Sequence, residues 1–304
     1  MAKVPIHFMG FLRNVDDSVT RVRLPDGIAV ETKSCNELAP FVDRIEFHYG
    51  FTAALHSRLG APTGYFCITK RAVCEFEGVP GVSVIQQPFA LMSGLADVPR
   101  NCLRLLRLFK EGNPIIDYGF LYHEENRGMG ITNVAVEHPV ADSGLFTLTD
   151  SEIPEAQSFI GKYSFPLKEP SVQLAFESFE LSYETYDAGL AFLSLMIAME
   201  VLLHPGNRDE LKYRICRNAG VLLGQDLGRG EAVFGEMKSL YDKRSALVHS
   251  GDRSSVTRQD VLRLRQYVRE TIKEAMSSGV SKDELLKTLN ACGFGQRPWR
   301  QDAK

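Results

Sequence analysis

The chain has 304 residues, of which 44% are hydrophobic and 24% are charged. This composition is typical of globular proteins, and a chain of this length most often forms two domains with a sizeable core. The formal net charge of −3 argues against a uniformly basic nucleic-acid binder. The charge is uneven, because residues 204–304 carry 19 Lys and Arg against 13 Asp and Glu, whereas residues 1–203 carry 16 against 25. This asymmetry is typical of a half that faces a polyanion, although a solvated helix surface explains it equally well.

Residues 1–165 have the pattern of a β-rich mixed domain. A helix is predicted to begin near Asp97 and to stop before Gly112, and the proline-punctuated stretch 154–170 is predicted to connect the two halves. Runs of β-branched and aromatic residues bounded by turn signals predict strands at residues 4–12, 19–30, 64–68, 82–88, 115–123 and 131–136.

Residues 166–293 have the pattern of an all-α bundle, so the fold class is predicted to be α+β. The polar tail 294–304 is predicted to be flexible. The run 188–203 is apolar nearly all round, which indicates a helix inside the bundle, with Asp187 as its cap. Other helices are predicted to begin at Pro170, at a capping box formed by Asn207 and Glu210, near Gly230, at Ser254 or Ser255, and at Ser281.

The sequence lacks signs of export, membrane insertion or metal binding. The N-terminus has no continuous apolar core of a signal peptide, and the longest apolar run, near 190–203, is interrupted by Ser194 and Glu200. None of the six cysteines, at positions 35, 67, 74, 102, 216 and 292, has metal-ligand spacing. We therefore expect reduced buried thiols, no metal or other cofactor, no membrane partner and a cytoplasmic protein.

Arg244 and His249 lie five residues apart, and together they offer the chemistry of metal-free RNA cleavage. When the RNA 2′-hydroxyl attacks the phosphate, a base and an acid must move protons, and positive charge must stabilise the phosphate. Histidine has an unperturbed pKa near neutral pH, and arginine is a permanent bidentate phosphate ligand. One chain supplies only one of each, so this chemistry leads us to expect a homodimer.

The spacing of Arg244 and His249 constrains how they can share a site. Five residues of a regular helix rotate by about 500°, which leaves the two side chains roughly 140° apart. We therefore predict that the helix ends near Val248, so that His249 turns back while Leu247 and Val248 face the core. The alternative is an exposed arginine and a C-terminal histidine favoured by the helix dipole, and the sequence supports both interpretations about equally.

Glu200 stands in an otherwise apolar helix, where a buried carboxylate needs a partner such as Arg244 or Arg217. It either orients the Arg244–His249 pair or forms a structural ion pair between helices. Weaker candidates for contacts with the RNA backbone are basic residues of the second half, for which a solvated helix face is the default interpretation. They are Arg217, Lys243, Arg265 and Arg269, with Arg263 and Lys273 in the same series as the last two.

Three segments in the second half, in this order, resemble a known family of helical domains. They are Ala-Met-Glu-Val-Leu-Leu at 198–203, Arg-Ile-Cys-Arg-Asn-Ala-Gly-Val-Leu-Leu at 214–223, and a block at 240–249 similar to the family's Tyr-x-x-Arg-Ser-x-x-Val-His. Through these segments, residues 170–290 resemble the Apea-like branch of the HEPN superfamily. That superfamily of helical bundles is typified by prokaryotic toxins and abortive-infection effectors.

The resemblance implies a metal-independent endoribonuclease that dimerises through the bundle, cleaves RNA and leaves cyclic-phosphate ends. Arg244 and His249 match the family's Arg-x4–6-His motif and would be the catalytic pair. Glu200 is similar to the acidic residue often found near that pair, and Tyr241 and Ser245 match its flanking positions. The implied role is phage defence by abortive infection or a toxin-like stress response.

The resemblance is not complete at the motif, it extends to the N-terminal half, and it leaves a second function open. The branch commonly has Gly directly after the histidine, whereas this chain has Ser250 followed by Gly251. The N-terminal half is similar to the variable β-rich domains that precede such bundles, which would sense a regulatory ligand or protein or restrain the nuclease. Some HEPN domains keep the fold but act only as binding or sensor modules, and this is the alternative function.

Overall fold

The structure is a computed structural model that describes residues 2–34, 37–38, 65–76, 89–125, 128–135, 144–206 and 210–296. The chain divides into two compact units, Met1–Ser164 and Phe165–Lys304. The first unit combines an antiparallel sheet with helices, whereas the described part of the second unit is helical. The mixed α and β character predicted from the sequence is therefore confirmed.

The first unit is built on a sheet with strand order β2-β3-β1-β4-β5, in which all neighbours are antiparallel. The central strand β1 pairs with β3 on one edge and with β4 on the other. Phe8 and Phe11, which point to opposite faces of the sheet, are both fully buried. Gly10 is required at this centre, because a Cβ there would lie 2.8 Å from Cγ2 of Ile116. The strands are β1 (Ala2–Arg13), β2 (Ala29–Lys33), β3 (Tyr65–Phe76), β4 (Ile115–Glu125) and β5 (Gly128–Ala135).

The helices of the first unit are α1 (Phe89–Phe109) and α2 (Glu152–Lys162), and both differ from the sequence predictions. Helix α1 starts earlier than Asp97 and contains Pro99 inside it, because packing against β3 and β4 overrides the local helix-breaking preference of proline. The predicted connector 154–170 contains most of α2, where Pro154 occupies the first turn and its missing N–H costs no hydrogen bond.

The strand predictions in the first unit are partly wrong. A 3-10 helix, Asp17–Arg21, occupies part of the predicted strand 19–30, since the Asp16 side chain accepts a hydrogen bond from the Ser18 N–H and caps this turn. Strand β2 begins only after the left-handed turn at Asp26 and Gly27. The predicted strand 82–88 lies outside the described residues.

The second unit is a bundle whose helix ends largely follow the capping signals in the sequence. Asp187 accepts a hydrogen bond from the Leu190 N–H at 2.9 Å, as predicted for a cap, and Ser281 caps the last helix. The helices are α3 (Pro170–Glu184), α4 (Ala188–Leu203), α5 (Leu211–Leu223), α6 (Leu227–Ser250), α7 (Arg258–Ser278) and α8 (Lys282–Ala291).

Three predicted helix starts in the bundle are wrong. The sequence predicts that helix α6 begins near Gly230, but it begins earlier and Asp226 caps it. Helix α7 is capped by Thr257, which forms a capping box with Asp260. Ser254 and Ser255 instead belong to a short 3-10 helix that precedes α7. Helix α5 starts after Glu210, whose φ of 55° is left-handed, so this residue does not complete a capping box; Asn207 lies outside the described residues.

Helix α4 lies within the bundle, as its apolar sequence predicts, but it is not buried all round. It packs against α3 and α7, and side chains such as Phe192, Leu195 and Met199 are fully buried. Leu190 and Ile197, seven residues apart and therefore on one face, remain 56% and 51% exposed. One apolar face of α4 is thus open to solvent.

Helices α5 and α6 cross at glycines, and the residues after α8 cover this crossing. A Cβ on Gly220 would lie 2.7 Å from the Gly230 carbonyl oxygen, so neither helix can approach as closely with a larger residue. Phe294 packs beside both glycines and lies 5.8 Å from the Phe234 ring. Phe294, the first residue of the predicted flexible tail 294–304, thus packs against the bundle, and residues 297–304 lie outside the described part.

We predict that Gly230→Ala destabilises the bundle by about 1–3 kcal/mol, because the added methyl would lie 2.9 Å from Cβ of Phe294. Gly235→Ala is the matched control in the same helix, since a Cβ at Gly235 has nothing within 4 Å. Alanine is the better helix former, so this control should raise stability by up to about 1 kcal/mol. Urea unfolding of both variants measures the difference, and equal effects would contradict a tight crossing.

Candidate functional site

Arg244 belongs to a cluster that joins α4 to α6. Its Nη2 atom lies 3.6 Å from Oε1 of Glu200, and its guanidinium carbon lies 5.7 Å from the centre of the Tyr241 ring. The Tyr241 hydroxyl donates a hydrogen bond to the same Glu200 oxygen at 3.2 Å. Of the two partners expected for Glu200, Arg244 is therefore the one that the structure provides.

The Glu200 cluster is only partly shielded from solvent. The side chains of Arg244 and Glu200 are 28% and 23% exposed, whereas Tyr241 is buried. Burial raises the pKa of Tyr241 to about 12, and the negative charge of Glu200 acts in the same direction. Tyr241 is thus a neutral hydrogen-bond donor at neutral pH, which holds Glu200 in place beside the guanidinium.

His249 lies in the last turn of α6 and is exposed. The helix continues through Ser250 and ends at Gly251, whose φ of 65° is the left-handed conformation typical of a glycine after a helix. The prediction that the helix ends near Val248 is therefore wrong, and Val248 is 47% exposed instead of facing the core.

The regular helix keeps Arg244 and His249 apart within one chain. Five residues correspond to about 7.5 Å along the axis and to side-chain directions about 140° apart. Ser245 is half-buried and follows Tyr241 by one turn, on the side of the helix that leads to His249. The position of His249 in the last turn of α6 agrees with the structural interpretation as well as with the catalytic one.

The RNA-binding prediction is wrong for Arg265 and Arg269. Both face the core between α7 and α3, and they are only 6% and 5% exposed. Arg265 donates hydrogen bonds to the hydroxyl and the carbonyl oxygen of Ser182, and Arg269 donates one to the Tyr183 hydroxyl. The two arginines are four residues apart on the buried face of α7. Their guanidinium groups therefore donate hydrogen bonds to α3 and are not available to a polyanion.

The other two basic candidates hold elements of the bundle together. Arg217 donates to the carbonyl oxygens of Leu289 and Cys292 at 3.0 and 2.6 Å, which satisfies the C-terminal end of α8. Lys243 donates to Asp260 at 2.7 Å and so links α6 to the capping box of α7. Each retains some exposure, but each already has a structural partner.

Asp260 is a residue that the sequence prediction missed. Although its burial favours the neutral acid, hydrogen bonds from Lys243 and Thr257 lower the pKa of Asp260 below its ordinary value. The signal was present in the sequence, since Thr257 and Asp260 have the spacing of a capping box. This carboxylate fixes the start of α7 against the helix that carries Arg244 and His249.

Comparison of the chain with protein-family models, curated proteins and solved structures finds no significant match. In the described part of the chain, no group of three or more His, Cys, Asp or Glu side chains is arranged to hold a metal ion. Within the same residues, every helix is too short or too polar to cross a membrane. Cys67, Cys102 and Cys216 are free and buried, and Cys292 is free and half-buried.

We predict that Glu200→Gln lowers the pKa of Tyr241 from about 12 toward the ordinary value of 10, because the neutral amide no longer opposes the phenolate charge. In the wild type, the raised pKa of Tyr241 contributes folding stability that is present below pH 10 and is lost as pH rises through about 12. This contribution to the free energy of unfolding should be smaller in Glu200→Gln. NMR titration of a chain with ¹³C-labelled tyrosine measures the pKa. The control Asp242→Asn removes a nearby exposed carboxylate and should leave the pKa of Tyr241 unchanged.

Proposed function

We propose that the second unit is a HEPN-type, metal-independent endoribonuclease. The observation that carries the proposal is the partly shielded Glu200–Tyr241–Arg244 cluster, in which Glu200 of α4 holds two residues of the helix that also bears the exposed His249. Glu200 and Tyr241 hold Arg244 from one side, and a quarter of its side chain stays open to solvent. A guanidinium fixed in this way suits the binding of a phosphate without a further loss of side-chain freedom.

Each group has a defined role in the proposed reaction. His249 moves protons to or from the attacking 2′-oxygen and the departing 5′-oxygen, and Arg244 stabilises the negative charge that builds on the phosphate. The phosphorus–5′-oxygen bond breaks as the 2′-oxygen–phosphorus bond forms, so the products are a 2′,3′-cyclic phosphate and a 5′-hydroxyl. Glu200 orients Arg244, and Tyr241 and Ser245 flank the pair.

A homodimer completes the proposed site, because one chain has one arginine and one histidine about 140° apart on α6. The open face of α4 is the surface that we assign to this dimer. It consists of Leu190, Leu193, Ile197 and Val201, which are exposed or half-buried. Glu200 borders this face, and a Cβ on Gly189 would lie 3.4 Å from the Leu247 side chain, so the face adjoins the end of α6 that bears His249.

The biological setting that fits this proposal is a cytoplasmic defence or toxin-like stress response. We propose that the first unit regulates the bundle by binding a ligand or a protein.

A second candidate function is a binding or sensor module without catalysis. The specific observation in its favour is that α6 is continuous through His249, while Arg244 already has Glu200 as a partner. In this alternative, the two residues only stabilise an interface.

We predict that the wild-type chain cleaves single-stranded RNA in the presence of EDTA, and that His249→Ala slows the reaction by about 10²- to 10⁴-fold. Arg244→Ala should slow it by about 10²- to 10³-fold, because the phosphate charge loses a preorganised donor. Initial rates on a labelled oligonucleotide, with detection of cyclic-phosphate ends, measure both effects.

The matched controls for this assay are His204→Ala and Arg253→Ala. His204 is a half-buried histidine at the end of α4, and the Arg253 side chain is 79% exposed and pairs with Asp187. Both variants should retain the wild-type rate. Equal background cleavage by the wild type and His249→Ala would favour the binding module, whereas EDTA-sensitive cleavage would exclude a metal-independent mechanism.

We also predict that the chain sediments with a mass near twice 34.0 kDa and that Ile197→Glu weakens this dimer by about tenfold or more. A carboxylate in the middle of the α4 face would be buried without a partner. Leu174→Glu on α3 is the matched control, since Leu174 is 50% exposed, close to the 51% of Ile197. Dissociation by both variants, or by neither, would show that the dimer does not use α4.

A further inference from the structure

Three aromatic rings form a row on the surface of the bundle, away from the Glu200 cluster. The Tyr213 ring of α5 lies 5.8 Å from the Phe234 ring of α6, and the Phe234 ring lies 5.8 Å from that of Phe294. Tyr213 is 54% exposed, while Phe234 and Phe294 are half-buried. Phe234 and Phe294 have a packing role at the glycine crossing, but this role does not require an exposed ring at Tyr213.

Lysines of α5 and α6 accompany the aromatic row. Lys238 is exposed one helical turn after Phe234, and Lys212 is next to Tyr213 and forms an ion pair with Asp242. Burial raises the pKa of the Cys216 thiol beneath them to about 12, and the positive charges of Lys212 and Lys238 act on this thiol in the opposite direction. Both lysine charges therefore act on the same buried thiol.

The aromatic row and the candidate catalytic histidine share one side of α6. Phe234, Lys238, Ser245 and His249 fall within about 60° of one another around a regular helix, and all four are exposed or half-buried. The distance from Phe234 to His249 along the axis is about 22 Å at 1.5 Å per residue. These four residues thus mark one accessible side of α6 between the aromatic row and the end of the helix.

We infer that the Tyr213–Phe234–Phe294 row, with Lys238, binds an unpaired base and an adjacent phosphate of a single-stranded RNA whose chain continues along α6 to His249. This inference rests on the proposed function and specifies its substrate class. Every nucleobase has a face that stacks on an aromatic ring, and lysine neutralises the phosphate beside it. A duplex hides its base faces, so the row selects an unpaired strand.

The test uses the full-length chain with His249→Ala, which prevents cleavage, and a fluorescently labelled single-stranded RNA of mixed sequence. Fluorescence anisotropy measures its affinity. Tyr213→Ala should weaken binding by about 5- to 100-fold, which corresponds to the loss of one stacking contact. Tyr213→Phe keeps the ring and should bind normally, and Tyr186→Ala removes another exposed tyrosine of the bundle as the matched control.

The salt dependence of binding tests the role of Lys238 separately. Log affinity falls as log salt concentration rises, and Lys238→Gln should make this slope shallower by about 0.7, as expected for the loss of one phosphate contact on a single strand. A duplex of the same sequence should bind more weakly and without dependence on Tyr213. Thermal unfolding by circular dichroism checks that each variant is folded.

The outcomes separate this inference from the proposed nuclease. Binding that depends on Tyr213 in a chain that does not cleave RNA supports the inference and contradicts the nuclease. Cleavage by the wild type, together with equal RNA affinity of Tyr213→Ala and Tyr186→Ala, supports the nuclease and overturns the inference. Equal affinity for duplex and single strand, or no measurable binding, also overturns it.

Discussion

The ion pair between Glu200 and Arg244 is the interaction on which the candidate site depends. A carboxylate in an apolar helix is costly unless it is paired, and α6 supplies both the guanidinium and the Tyr241 hydroxyl that satisfy it. The pairing fixes the rotation of α6 against α4. It thereby determines which side of α6 faces solvent, and His249 and Lys238 lie on that side.

Helix α6 is held at two levels along its length. Near its start, Gly230 packs against Gly220 of α5 and against Phe294. In its second half, the neighbouring residues Asp242 and Lys243 pair with Lys212 of α5 and with Asp260 of the α7 capping box. Because α5, α7 and the segment after α8 all contribute contacts, α6 is a rigid support for groups on its exposed side. Rigid supports of this kind give binding sites their precision.

The basic residues of the second unit show why net charge is a weak guide to a binding surface. The segment after residue 203 has an excess of Lys and Arg, yet Arg265 and Arg269 lie in the core and Arg217 satisfies the end of α8. Each guanidinium has five donors and a flat face, so it satisfies buried carbonyl and hydroxyl oxygens and stacks on tyrosine. The excess charge is therefore used partly for structure.

The sequence by itself determined the features that depend on short stretches of chain. The mixed fold class, the strand at 115–123, the caps at Asp187 and Ser281, and the need of Glu200 for a basic partner follow from periodicity, capping chemistry and the cost of a buried charge. These local signals do not require knowledge of what packs against them.

Only the tertiary structure decided the features that depend on distant segments. Glu200 and Arg244 are 44 positions apart in the sequence, and Arg265 and Ser182 are 83 apart, so no local pattern identifies these pairs. The continuation of α6 through His249 and the packing of Phe294 were also decided there. The physical reason is that the side of a helix that becomes buried, and the partner of each charge on it, depend on which helices pack together.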